Sequence, residues 1–152
     1  MRIPLQVILS SLCAVALMSC FCRAEDRKTG TSDQKPATMK IRLKIGNETL
    51  SATLIDSPTT REFLSLLPLT VEMRDYAQTE KVADLPGKLT TKGAPSGSDP
   101  AVGDIAYYAP WGNLAIFYKD FGYSNGLIIL GKIDFPLEAL TRIDSGKITI
   151  EP

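Results

Sequence analysis

The stretch Gly103-Asp104-Ile105-Ala106-Tyr107-Tyr108-Ala109-Pro110-Trp111-Gly112-Asn113-Leu114-Ala115-Ile116-Phe117-Tyr118-Lys119-Asp120-Phe121-Gly122-Tyr123-Ser124-Asn125-Gly126 decides how this chain folds. Seven of its eleven aromatic residues fall between Tyr107 and Tyr123, the single Trp among them. Strands are predicted at Asp104–Tyr108 and Leu114–Lys119. Between them Pro110-Trp111-Gly112-Asn113 reads as a tight turn, because Pro presets its own φ and Gly tolerates a positive one. Successive strand side chains point to opposite faces, so Tyr107 and Tyr108 divide between core and surface.

Moving outward, period-two alternation recurs. Met39, Ile41, Leu43 and Ile45 alternate with Lys40, Arg42 and Lys44, and after the turn signal Gly46-Asn47 the residues Leu50, Ala52 and Leu54 alternate with polar ones. This pattern predicts a hairpin with one buried face. Leu69, Val71 and Met73 predict another strand, and Leu127–Ile133 and Lys147–Glu151 two more. Asp56-Ser57-Pro58 opens one helix: Ser57 can cap the free N–H groups, Pro58 suits the first turn, and Pro68 ends it. Phe63, Leu64, Leu66 and Leu67 are its apolar face, expected to cover an opening in a sheet. Pro136–Arg142 predicts a helical turn. Residues 75–101 read as a long ordered loop. Many short strands, one good helix and no βαβ alternation argue for an all-β, closed or nearly closed barrel with minor helix. At its rim Trp111 either folds back to close the barrel or walls a pocket. Tyr118 and Tyr123 carry the same two readings.

Four ordered motifs carry a family resemblance. They are Asp75-Tyr76-Ala77-x-Thr79-Glu80-Lys81, Leu85-Pro86, Gly103-Asp104-Ile105-x-Tyr107-Tyr108-x-Pro110-Trp111-Gly112-Asn113-Leu114 and Tyr123-Ser124-x-Gly126-Leu127-Ile128-x-Leu130-Gly131. With these motifs, residues 39–151 resemble the bacterial cyclophilin-like domain family. The resemblance implies a barrel of about eight strands with one or two short covering helices. It implies no settled activity. True cyclophilins are peptidyl-prolyl isomerases that use an Arg beside an apolar proline pocket, and Arg74 holds a roughly equivalent place. The characteristic strand motif around that Arg is missing, and the family's His has no counterpart.

The chain contains no His, which limits its chemistry. Gly122-Tyr123-Ser124-Asn125-Gly126 fits the nucleophile-elbow pattern G-x-S-x-G. That pattern needs a helix after the turn and a His as base. A strand follows here, so the segment is expected to be a hairpin turn. All three Cys residues (Cys13, Cys20, Cys22) lie near the N-terminus, leaving the domain without thiols or disulfides. Zinc and copper sites therefore lack ligands. Asp75, Glu80, Asp84, Asp99, Asp104, Asp120 and Asp134 are scattered and match no calcium loop. No metal or cofactor is expected. Isomerisation needs neither nucleophile nor base, only weakening of a partial double bond, so a weak isomerase with Arg74 as polarising residue remains an alternative. The leading expectation is a barrel, non-catalytic or of unassigned activity, that binds a small molecule or peptide in an aromatic groove. The expected groove residues are Tyr76, Glu80, Tyr108, Trp111, Asn113 and Tyr118. A non-catalytic protein-interaction module is the third reading.

Arg2 and the apolar run to Met18 have the layout of a secretory signal, removed at 1–24. Leu17-Met18-Ser19-Cys20 resembles a lipobox with lipidation at Cys20; ordinary cleavage after Ala24 competes with it. Residues 25–38 are polar and charged and read as a flexible tether, with the barrel domain at 39–152. The chain has 17 Lys and Arg against 17 Asp and Glu. Loss of 1–24 removes two cations and no acids, leaving a net charge of −2. No basic stripe points to nucleic acid. Membrane contact is expected only through a lipid anchor on Cys20. The location expected is the bacterial periplasm or a membrane-anchored lipoprotein.

Overall fold

β1 (Met39–Ile45) and β2 (Glu48–Leu54) form the hairpin that the alternation predicts, with Leu43 opposite Leu50 and Gly46 at φ +57° in the turn. Ile41, Leu43, Leu50, Ala52 and Leu54 are buried, while Lys40, Arg42 and Lys44 stay exposed. The protein is known here from a computed structural model that describes residues 39–134, 136–142 and 145–152. The expected leader at 1–24, Cys20 and the tether at 25–38 lie outside the described residues.

α1 (Pro58–Ser65) begins as its sequence predicts. Ser57 is extended, and its Oγ accepts a hydrogen bond from Thr60 N at 3.1 Å. Phe63 is fully buried in the main core. Leu66 and Leu67 lie past the last helical residue and pack against the same core. Thr59 Oγ1 donates to Thr90 O at 2.8 Å, and Glu62 accepts from Thr90 N, so the helix is tied to the loop beside it. Ser57→Ala removes the cap, and urea denaturation should show a loss of about 1 kcal/mol.

β3 (Leu69–Tyr76) follows, then β4 (Glu80–Asp84). β4 corrects the reading of 75–101 as one loop. Its inward face carries Lys81 and Ala83 and its outward face Val82, so the apolar pattern is inverted and weak. The remaining elements are β5 (Gly97–Ser98), β6 (Asp104–Tyr108), β7 (Asn113–Phe117), β8 (Ser124–Asn125), β9 (Leu127–Asp134), α2 (Glu138–Thr141) and β10 (Ser145–Glu151).

Eight antiparallel strands close a barrel in the order β1-β10-β3-β4-β7-β6-β9-β2, with β2 paired back to β1. The fold is therefore the expected closed β-barrel with two short helices. Ile105, Tyr107, Leu114 and Ile116 point into the main core. Tyr107 OH accepts from Leu89 N at 3.0 Å, anchoring the loop after β4.

The hairpin expected at Gly122–Gly126 is not there. β7 and β9 both pair with β6, one on each side. β7 ends beside Ile105 and β9 starts beside Tyr108, so residues 118–126 run the length of β6 as a crossover. Within it β8 pairs with β5. Val102 N donates to Asp120 Oδ1 at 3.0 Å and Gly126 N to Ser96 O at 2.7 Å, which fixes the crossover to residues 96–102. Glycine-flanked polar residues signal a change of direction but not the strand they lead to.

Candidate functional site

A second, smaller apolar cluster lies on the outer face of the barrel: Val82, Ala106, Ala115, Phe117 and Leu127. Strand register explains its shape. Tyr76, Glu80 and Phe117 form one row across β3, β4 and β7. Asp84, Asn113, Tyr108 and Leu127 form another, across β4, β7, β6 and β9. Between these rows lie Val82, Ala115 and Ala106. The two Ala side chains are shorter than their neighbours, which leaves a hollow. The crossover borders it with Phe121 and Ser124. The resulting cavity holds about 190 Å³.

Trp111 projects from the β6–β7 turn and is 58% exposed. Gly112, at φ +75°, donates its N–H to Tyr108 O at 2.8 Å and makes this turn possible. The indole meets Tyr76 edge-on at 5.5 Å and Tyr108 edge-on at 5.3 Å, both at 83°. Of its two readings, Trp111 takes the place of a cavity wall outside the barrel. Tyr107 is core and Tyr108 half-buried at the cavity, as their alternation requires.

Five of the six expected groove residues (Tyr76, Glu80, Tyr108, Trp111 and Asn113) line this cavity. Tyr118 does not. It follows β7, and its hydroxyl donates to Asp75 Oδ2 at 2.6 Å. Asp75 Oδ2 also receives Lys81 Nζ at 2.7 Å, and Asp75 Oδ1 receives Gln78 N at 3.0 Å. The hydrogen bonds from Lys81 and Tyr118 hold the Asp75 carboxyl below its ordinary value. Arg74 is also elsewhere, paired with Asp84 at 3.2 Å in a separate depression with Glu72 and Ser145. The sequence reading missed Ala115, Phe117, Phe121, Ser124 and Leu127, all of which line the cavity. Outward alternation from Tyr108 and Asn113 was the available signal for Ala115 and Phe117.

Glu80 is the single charged side chain lining the cavity among the described residues. Burial beside aromatic rings pushes its carboxyl up to about 7, because desolvation penalises the ionised form. Asn113 is 2% exposed, and its Oδ1 has no hydrogen-bond partner among the described residues. An unpaired buried acceptor costs about 1–3 kcal/mol. Asn113→Leu, similar in size and apolar, should therefore raise stability by about 1 kcal/mol in urea denaturation. Among the described residues no cluster of three or more His, Cys, Asp or Glu side chains could hold a metal ion.

A family model described as the cyclophilin-like family matches residues 43–151. Among solved structures, the chain is similar to the solution structure of a hypothetical protein from Archaeoglobus fulgidus. The two share 18% identity and a TM-score of 0.56, over 78% of this chain and 98% of the other. At that identity the likeness is one of fold. No curated protein matches the sequence.

Proposed function

The chain belongs to the cyclophilin-like family, and from that premise we propose that its barrel is a non-catalytic domain binding a small molecule or peptide in the groove beside Trp111. The observation that carries this reading is Asn113: a buried polar side chain lines an aromatic hollow while its Oδ1 lacks a partner among the described residues. Folding alone gains nothing from such a group, whereas a bound donor would satisfy it. Aromatic walls supply large contact area at low entropy cost.

Trp111 is the only Trp in the chain, so its emission reports on this groove alone. Titration with metabolites and proline-containing peptides should shift that emission, and Trp111→Ala should weaken binding measured by calorimetry about tenfold. Unchanged emission with every compound, or unchanged affinity in Trp111→Ala, would refute the binding reading. The isomerase alternative needs a cation beside the apolar groove. Arg74 is bound to Asp84 outside it, and no Arg or Lys lines the cavity among the described residues. A protease-coupled proline isomerisation assay is therefore expected to give the uncatalysed rate. Export remains part of the proposal on the strength of the N-terminal sequence. Mass spectrometry of the mature protein tests it, an acylated Cys20 being the expected first residue and a free Glu25 the competing result.

A further inference from the structure

We infer that the groove is built for a small organic cation: a protonated amine that meets Glu80, on an apolar body that lies over Ala115 and ends in a hydrogen-bond donor at Asn113 Oδ1. This inference rests on the binding reading above and narrows it to one class of ligand.

Charge comes first. Glu80 is the only charged group in the lining among the described residues, so an anionic ligand would meet repulsion and no counter-charge. A cation meets the carboxylate and, around it, ring faces. Tyr76, Tyr108, Trp111, Phe117 and Phe121 all border the cavity. The faces of Trp, Tyr and Phe carry the negative part of the ring quadrupole and attract ammonium groups, more strongly when water is excluded. Trp111 stands perpendicular to both Tyr76 and Tyr108, so ring faces are presented in more than one direction.

The spacing sets the length. Glu80 pairs with Phe117, which is four residues along β7 from Asn113. Four residues of strand span about 13 Å, so no single ligand atom can serve both polar groups. The ligand must carry two polar ends and an apolar middle. The small side chain of Ala115 in the cavity floor leaves room for that middle. A volume of about 190 Å³ is below that of most drug-sized sites, so the compound is small.

Protonation couples to occupancy. With the groove empty, burial favours the neutral Glu80 carboxyl. An ammonium beside it favours the ionised form, so binding near neutral pH expels a proton. The other titratable groups on the adjacent segments are Asp75 and Tyr76 on β3, Lys81 on β4, and Tyr118, Lys119 and Asp120 after β7. Asp75, Lys81 and Tyr118 are occupied with one another.

Four probes of near-equal shape test the idea on the purified full chain: tyramine, 2-phenylethylamine, 4-(2-hydroxyethyl)phenol and 3-(4-hydroxyphenyl)propanoate. Trp111 emission and backbone NMR shifts of β4 and β7 report binding. Tyramine is expected to bind about tenfold more tightly than the neutral alcohol or the carboxylate. Its affinity should fall about tenfold between pH 8 and pH 6, as Glu80 takes up a proton. Glu80→Gln should erase the preference for the amine over the alcohol. Asn113→Leu should remove the advantage of tyramine over 2-phenylethylamine. If the alcohol or the carboxylate binds as well as tyramine, or Glu80→Gln still prefers the amine, the ligand class is wrong while the groove stands. If none of the four moves any signal up to about 10 mM, a ceiling equivalent to less than about 3 kcal/mol of binding, both the class and the groove reading fall.

Discussion

Replacing Asp75 with Ala is expected to lower folding stability by about 3–5 kcal/mol. Lys81 sits on the inward face of β4 with its side chain 2% exposed, and its ammonium lies 2.7 Å from Asp75 Oδ2. Without Asp75 that ammonium is a buried charge with no counter-ion, which costs far more than the pair itself contributes. The same change strips Tyr118 of its acceptor and Gln78 N of its partner. It also loosens a turn in which Ala77 and Gln78 both hold positive φ, a conformation that costs non-glycine residues energy. Lys81→Met alone should cost less, because Asp75 is partly exposed and can be rehydrated. Lys81→Met added to Asp75→Ala should recover much of the loss, since an apolar side chain needs no counter-charge. Urea denaturation of the three variants measures this. A loss below about 1 kcal/mol in Asp75→Ala would show that Lys81 finds water or another partner.

The pH dependence has a definite sign. Asp75 titrates below its ordinary value in the folded protein, so folding favours its ionised form. Its contribution is complete above the unfolded value of about 3.9 and is lost as pH falls through the depressed folded value. Asp75→Ala should remove that acid limb, leaving a flatter stability profile between pH 5 and pH 2 (roughly the window for carboxylates of this kind).

Gly131→Ala is the second large effect, a loss of about 3 kcal/mol. Gly131 lies in β9 opposite Leu54 of β2 and Ile105 of β6. Ile105 faces Gly131 but Ala106 faces Ile129, so Leu130 is an extra residue and β9 bulges there. The bulge brings the backbone of β9 against β2. A Cβ at position 131 would sit 2.6 Å from Leu54 Cα and would also strike Thr53 O. Both obstacles are backbone, which cannot swing aside as a long side chain can. A shift there would disturb the pairing that closes the barrel. Gly87→Ala is the control, because nothing lies within 4 Å of its Cβ. It should stay within about 0.5 kcal/mol of the parent. Equal stability in the two variants would mean that β9 can retreat from β2 at little cost.

Much of the barrel was legible along the chain. The β1–β2 hairpin declares itself because hydrophobic and charged residues alternate without a break from Lys40 to Ile45. Ser57-Pro58 declares α1 because capping is a local act between a side chain and the next turn. β4 was hidden because one of its two inward side chains is Lys81, neutralised by Asp75 from β3, and the other is only Ala83. Nothing within Glu80–Asp84 announces that partner. The crossover at 118–126 was hidden for a related reason: whether β7 turns back on itself or passes β6 depends on which strand offers a free edge.

By itself, the sequence determined the period of the β1–β2 hairpin and of β3, the cap of α1, the division of Tyr107 from Tyr108 and the turn that carries Trp111. These follow from preferences that act within a few residues. The tertiary structure alone decided that Glu80 on β4 and Asn113 on β7 share one hollow, that Phe121 borders it, and that Tyr118 turns away to Asp75. Those outcomes depend on strand register and on which edges meet, and register arises between segments that lie far apart along the chain.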